Sequence, residues 1–130
     1  MATTHFEDFT SGQVIELGSV TLTEEAIIDF ATQFDPQSFH VDPVAAVGSS
    51  FGGLIASGWH TGSLWMRLYA DTVLDGADSR GSPGMEELRW WAPVRPGDTL
   101  TGTITVIETT PSSKDPTRGT ILTEGAMTNQ

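Results

Sequence analysis

Cysteine is absent from the 130 residues. Disulfides, thiolate-held zinc, iron–sulfur clusters and thiol catalysis are therefore excluded. Basic residues are scarce, with 6 Lys and Arg against 17 Asp and Glu, for a formal net charge of -11. Nucleic acid calls for a basic footprint, and an anionic membrane surface attracts basic segments, so neither is an expected partner. No apolar run approaches the roughly 20 residues of a membrane span. The first ten residues hold acids and neither Lys nor Arg, unlike a secretory signal peptide. The expectation is a cytoplasmic chain folded as one domain, residues 1–130, long enough to bury about two thirds of its unfolded surface.

What is present is well punctuated. Residues 13–22 alternate loosely, with Val14, Leu17, Val20 and Leu22 apolar, and predict a strand. Thr23 is a good helix N-cap, and Glu24 and Glu25 sit at the positive end of the helix dipole. Ile27, Phe30, Ala31 and Phe34 follow at helical spacing. Pro36 forbids continuation, so residues 35–40 are expected to be a loop. Asp42-Pro43 offers a cap and an N1 proline for a short helix over 44–47, closed by Gly48. Residues 54–74 form the most apolar stretch and predict a long buried helix over 57–73, with Ser57 as its cap. After a turn-rich link, three strands are expected, over 85–91, 99–109 and 120–127. One long helix followed by antiparallel strands implies an α+β layer, a curved sheet packed around that helix.

Three histidines are available for chemistry, His5, His40 and His60. His5 lies in a polar arm. His40 shares a loop with Asp35, between two helices. A carboxylate and an imidazole presented together can hold one water, the first accepting its proton and the second orienting it or returning a proton. The same spacing fits an exposed Asp and a packing His, and spacing alone favours that plainer reading. Gly58 stands at the start of the long helix, where an N–H without a helical partner faces the positive dipole end. A carbonyl gaining negative charge could be held there, although Gly52, Gly53 and Gly58 could equally serve only to turn the chain. Asp35, His40 and Asp42 are a weak metal set, with no second His or Glu at i, i+4. Ser57-Gly58 fails the G-x-S-x-G pattern of a nucleophile elbow. Most of the four tryptophans are expected in the core, with one or two lining an acyl pocket.

Residues 30–58 resemble the MaoC-like (R)-specific enoyl-CoA hydratases of the hotdog fold. The signature is D-x-N-P-x-H, a short helix, then F-x-x-x-I-x-x-G. Asp35 and His40 take its first and sixth places, and Phe51, Ile55 and Gly58 fit its second part. The run from Glu86 to Leu100, with Pro93-Val94 and Gly97-Asp98, is similar to the family's sheet hairpin. Gln37 stands where Asn is usual and Ser38 where Pro is usual. Family members generally add one more strand beyond a turn like Asn129-Gln130, so the last strand of the sheet is expected to be missing from this chain.

The resemblance implies reversible hydration of a trans-2-enoyl-CoA to an (R)-3-hydroxyacyl-CoA, the chemistry of acyl-CoA and fatty acid metabolism. It implies Asp35, His40 and Gly58 as catalytic residues, with Phe39, Ser57 and Trp59 binding substrate. No metal or redox cofactor is expected; coenzyme A is the substrate carrier. Its phosphates would draw on Arg89, Arg95, Lys114 and Arg118. A homodimer or a dimer of dimers is the implied assembly. A hotdog acyl-CoA thioesterase and a noncatalytic acyl-thioester-binding subunit are the alternatives.

Overall fold

The computed structural model describes residues 2–130. The chain runs β1 (Val14–Thr21), α1 (Glu24–Phe34), α2 (Ser38–Val41), α3 (Pro43–Val47), α4 (Gly58–Thr72), β2 (Thr99–Pro111) and β3 (Gly119–Thr128), with single 3-10 turns at Phe6–Asp8 and Leu74–Gly76. The three strands form one sheet in the order β1-β2-β3. The Gln13 carbonyl accepts from the Val106 N–H at one end of the first pair, and the Leu22 N–H donates to the Asp98 carbonyl at the other. Residue numbers rise on one strand as they fall on its neighbour, so the pair is antiparallel. The fold is α+β, with one long helix, as expected.

Local signals account for most boundaries. The Thr23 hydroxyl accepts from the Ala26 N–H at 3.1 Å, capping α1. The Asp42 carboxylate accepts from the N–H groups of Val44 and Ala45, both at 3.1 Å, and Pro43 occupies the first turn of α3. Ser57 caps α4: its hydroxyl accepts from the Trp59 N–H, and its carbonyl accepts from His60 and Thr61.

Four expectations need correction. The long helix is not mostly buried: within Gly58–Thr72 His60 alone is buried among the described residues. Most of the tryptophans are not in the core, since Trp59, Trp90 and Trp91 are exposed and Trp65 is half-buried. Residues 35–40 are not all loop, because Ser38–Val41 closes one helical turn that carries Phe39 and His40. Four residues are too few to show a period in sequence. Residues 85–91 are not a strand. Among the described residues none of their backbone N–H or C=O groups is hydrogen-bonded, and β-branched or aromatic content cannot make a strand without a neighbour to pair with. The sheet therefore has three strands where four were expected.

The chain divides into two compact units. One gathers the N-terminal residues to Gly18, Trp65–Pro83 and Thr101–Met127. Its core is Leu17, Val73 and Ile104, with Phe9, Ile15, Trp65, Leu68 and Tyr69 packed against it. Along β2 the inward positions are Leu100, Gly102, Ile104 and Val106, alternating as a strand with one buried face should. Gly102 admits the close approach of Leu68 and Met127, each 3.3 Å from where a Cβ would stand, tighter than an ordinary van der Waals contact. The other unit gathers Ser19–Leu64, Gly84–Leu100 and Thr128–Gln130. It buries Leu22, Ile27, Ala31, Ala46 and the run Leu54–Ser57, and it contains both His40 and His60.

Candidate active site

The site begins where α1 is forced to stop. The Asp35 N–H still donates to the Ala31 carbonyl at 2.8 Å, but its own backbone has left the helix, at φ -155° and ψ 68°. Pro36 dictates this departure by excluding the helical region for the residue before it. The side chain of Asp35 is thereby fixed at the C-terminal end of α1. The chain then turns into α2, which delivers His40 back to it. The two meet with His40 Nε2 at 3.3 Å from Asp35 Oδ2.

Each partner is held from behind. His40 is 5% exposed, and its Nδ1 lies 2.7 Å from the Ile55 carbonyl oxygen. A carbonyl can only accept, so Nδ1 carries the hydrogen. Ile55 is itself clamped, its N–H donating to the Phe39 carbonyl at 3.1 Å. The next residue, Ala56, donates to Val94 at 2.8 Å. The ring is further confined by Phe39, whose centroid is 4.6 Å away in an edge contact. With Nδ1 committed, Nε2 faces a carboxylate oxygen. The contact is attractive when one proton lies between Nε2 and Oδ2.

Asp35 accepts two further hydrogen bonds. Gln37 Nε2 donates to Oδ1 at 2.7 Å, and Ser57 Oγ donates to Oδ2 at 2.8 Å. Partial burial by itself pushes the Asp35 carboxyl up. The hydrogen bonds from Gln37 and Ser57 and the charge of His40 outweigh it, leaving the group below its ordinary value. The ionised form is thus the resting form at neutral pH. Neither supporting contact was predicted. Gln37 carries one methylene more than the Asn usual at its place, and that reach brings its amide to the carboxylate two residues away. Ser57 was expected at the substrate. The structure sets it fully buried, behind the carboxylate.

Gly58 is the first residue of α4. The Trp59 and His60 N–H groups are taken by Ser57, while the Gly58 N–H has no acceptor among the described residues. Its α-carbon is covered on one side by the Trp90 indole, which would stand 2.3 Å from a Cβ built there, and Trp90 Nε1 donates to the Gly58 carbonyl at 2.9 Å. Only glycine allows that approach. Trp59 is exposed and meets Trp90 edge-on, with centroids 5.5 Å apart. Phe39 packs on Phe51 at 5.2 Å.

Other sequence candidates lie elsewhere. Asp42 is committed to capping α3, and among the described residues no group of three or more His, Asp or Glu could hold a metal ion. His5 caps the first 3-10 turn. Arg95 Nη2 donates to the Phe51 carbonyl at 2.6 Å, and Arg89 pairs with Glu87. Lys114 and Arg118 occupy the turn between β2 and β3. His60 is buried, with its ring stacked on Phe30 at 4.7 Å and its Nδ1 without a hydrogen-bond partner among the described residues. Among the described residues no helix is long and apolar enough to cross a membrane.

Comparison with known proteins sets this geometry in context. The family described as MaoC like domain matches residues 8–126. An uncharacterised protein of Bacillus subtilis, YdeM, is 32% identical over 109 residues, 84% of this chain and 77% of that protein. Among solved structures, the MaoC-like dehydratase from Rhodospirillum rubrum superposes with a TM-score of 0.85 at 38% identity, covering 98% of this chain and 86% of that one. The (R)-hydratase from A. caviae involved in PHA biosynthesis gives a TM-score of 0.67 at 25% identity, covering 93% and 87%. The fold shared with these proteins is the hotdog.

Proposed function

Since this chain belongs to the MaoC-like domain family, we propose that it catalyses the reversible hydration of a trans-2-enoyl-CoA to an (R)-3-hydroxyacyl-CoA. The observation that carries the proposal is the Asp35–His40 contact, with the outer nitrogen of the imidazole anchored on Ile55 and the carboxylate held by Gln37 and Ser57. Two groups that share one proton suit a reaction that removes a proton from water and delivers one to carbon.

In the hydration direction, a water hydrogen-bonded to the Asp35–His40 pair attacks C3 of the enoyl thioester. Its O–H bond breaks as the C3–O bond forms, and the proton passes to the Asp35–His40 pair. The electron pair of the C2–C3 double bond moves toward the thioester, whose oxygen becomes enolate-like. The Gly58 N–H, at the positive end of α4, holds that oxygen. The pair then returns a proton to C2. Atoms balance with water and substrate alone, and no metal or redox cofactor takes part; coenzyme A only carries the acyl group. Trp59 and Phe39, beside Gly58 and His40, line the acyl side. The working unit is a homodimer or a dimer of dimers.

The test is an assay with crotonyl-CoA and longer enoyl-CoAs. Loss of the enoyl-thioester absorbance without release of free thiol supports hydration. Thiol release in step with substrate loss points instead to a thioesterase, and no change in either would leave an acyl-thioester-binding role.

A further inference from the structure

The arginines of this acidic chain are engaged in different ways. Arg67, Arg80 and Arg89 each pair with a carboxylate close by in sequence. Arg95 does not. Its Nη2 donates to the Phe51 carbonyl at 2.6 Å, and its Nη1 lies over Gly53, 3.3 Å from where a Cβ would stand.

The chain it holds has little order of its own. Residues 48–53 include three glycines, and Gly52 stands at φ 70°. Glycine loses the most conformational freedom on ordering. Yet this segment leads directly into the buried run Leu54–Ser57, where the Ile55 carbonyl accepts from His40 Nδ1. Three long-range bonds tie residues 51–56 down. Arg95 donates to the Phe51 carbonyl, the Ile55 N–H donates to Phe39, and the Ala56 N–H donates to Val94. Two of the three thus come from sequence neighbours, Val94 and Arg95.

Those neighbours open a rigid turn. The Arg95 N–H donates to Asp98 Oδ2 at 2.9 Å, and the Arg95 carbonyl accepts from the Asp98 N–H at 3.0 Å. The turn is bonded twice to buried Leu22, by the Gly97 N–H to its carbonyl and by its N–H to the Asp98 carbonyl. A second route from the clamp runs through rings. Phe51 packs on Phe39 at 5.2 Å, and Phe39 meets the His40 imidazole edge-on at 4.6 Å. Both routes end on His40, one at Nδ1 and one at the ring.

We infer that Arg95 is a positioning residue for His40. By clamping Phe51 to the 95–98 turn, it keeps the Ile55 carbonyl on Nδ1 and so keeps Nε2 toward Asp35. The inference rests on the hydratase reading for its effect on turnover, while its effect on the imidazole is read without substrate. A phosphate of coenzyme A is the other use open to this exposed cation, and the two uses predict different losses.

Arg95→Met keeps most of the stem and removes every donor. In 15N-labelled full-length protein, the His40 Nδ1–H signal is identified by its loss in His40→Ala, and its exchange with solvent is timed. Exchange in Arg95→Met should be faster by about tenfold or more, as expected of local opening. The Val106 N–H, bonded to the Gln13 carbonyl in the sheet, should exchange at its wild-type rate, which separates a loosened anchor from general unfolding. The kcat should fall about tenfold, because a misplaced catalytic group costs rate more than binding. The loss should be equal with crotonyl-CoA and with crotonyl N-acetylcysteamine thioester, which carries no phosphate, and KM should change little. Phe51→Ala breaks the ring route at an exposed residue and should move both readouts the same way by less, so the test survives poor folding of Arg95→Met. A loss confined to crotonyl-CoA and expressed in KM would make Arg95 a phosphate contact and overturn the inference. An Nδ1–H exchange rate that is unchanged, or that rises only in step with Val106, would also overturn it. A wild type inactive on both thioesters would sink the hydratase reading, and the exchange comparison would still decide this one.

Discussion

His40 and His60 are buried to almost the same degree, 5% and 7% exposed, in the same compact unit. Their surroundings differ in kind. His40 has a carbonyl on one ring nitrogen and a carboxylate on the other. His60 has the face of Phe30, a buried Nδ1 with no partner, and a basicity lowered by burial. Burial therefore says little about what a histidine can do. An imidazole handles protons when something fixes its tautomer and something else takes the proton, and only the α2 histidine has both. The α4 histidine is held neutral, as a flat ring among rings.

The sharpest way to break this contrast is to disable the pair. Asp35→Asn preserves size and removes the base, and turnover on an enoyl-CoA should fall by about 100-fold or more while the thermal midpoint changes little. His40→Ala should lose a similar factor, and the double variant should lose hardly more than either, because both act on one water. Activity within a few-fold of wild type in Asp35→Asn would end the assignment.

A smaller effect is expected behind the carboxylate. Ser57→Ala removes a hydrogen bond that favours the ionised form of Asp35, so the acid limb of the kcat/KM profile should move to higher pH and turnover should drop by about tenfold. An unmoved acid limb would mean that Ser57 does nothing for the base. The same logic sets the acid stability of the fold. The depressed Asp35 contributes stability that is present above the ordinary carboxylate value, about 3.9, and is lost as pH falls through the lower folded value.

The smallest effect belongs to His60. Its folded value lies below the ordinary imidazole value of about 6.5, so the unfolded chain takes up the proton first. The wild type should lose stability as pH falls from about 7.5 through 6.5 toward the folded value. His60→Leu removes the titrating group along with the unpartnered nitrogen. Chemical denaturation at several pH values should show a flatter profile in this range, with stability near pH 8 within about 1 kcal/mol of wild type. Turnover should stay within a few-fold. A large loss of turnover at constant stability would erase the distinction between the two histidines.

How legible this was in sequence varies by feature. α1, α3 and α4 were readable because their caps, their proline and their apolar spacing are local signals, and the structure uses Thr23, Asp42 and Ser57 for that purpose. The Asp35–His40 contact was readable as a spacing and as a resemblance, but the turn of helix that closes it was not, since four residues carry no period. The two hydrogen bonds that hold Asp35 come from Gln37, whose reach depends on a turn, and from Ser57, 22 residues away. Nothing in either residue type announces a carboxylate partner. The 85–91 segment misled for a related reason. Its side-chain pattern is that of a strand, yet a strand is a relation between two segments, and among the described residues none pairs with it.

Three aromatic rings rest directly on glycines: Trp90 on Gly58, Phe6 on Gly119 and Trp65 on Gly125, each within 2.4 Å of where a Cβ would be. This imposes an order on how the sequence can change. While the ring is in place, even alanine at the glycine is blocked; at Gly58 and Gly125 trimming the ring first removes the nearest obstacles to a later methyl group, whereas at Gly119 the Thr110 carbonyl oxygen would still stand 2.6 Å from the Cβ. Divergence at Gly58 and Gly125 should therefore be directional, with the aromatic yielding before its glycine. Two natural sequences that differ at such a pair should pass through a ring-less intermediate, and Gly58→Ala should be tolerated in a Trp90→Ala background while costing stability in the parent.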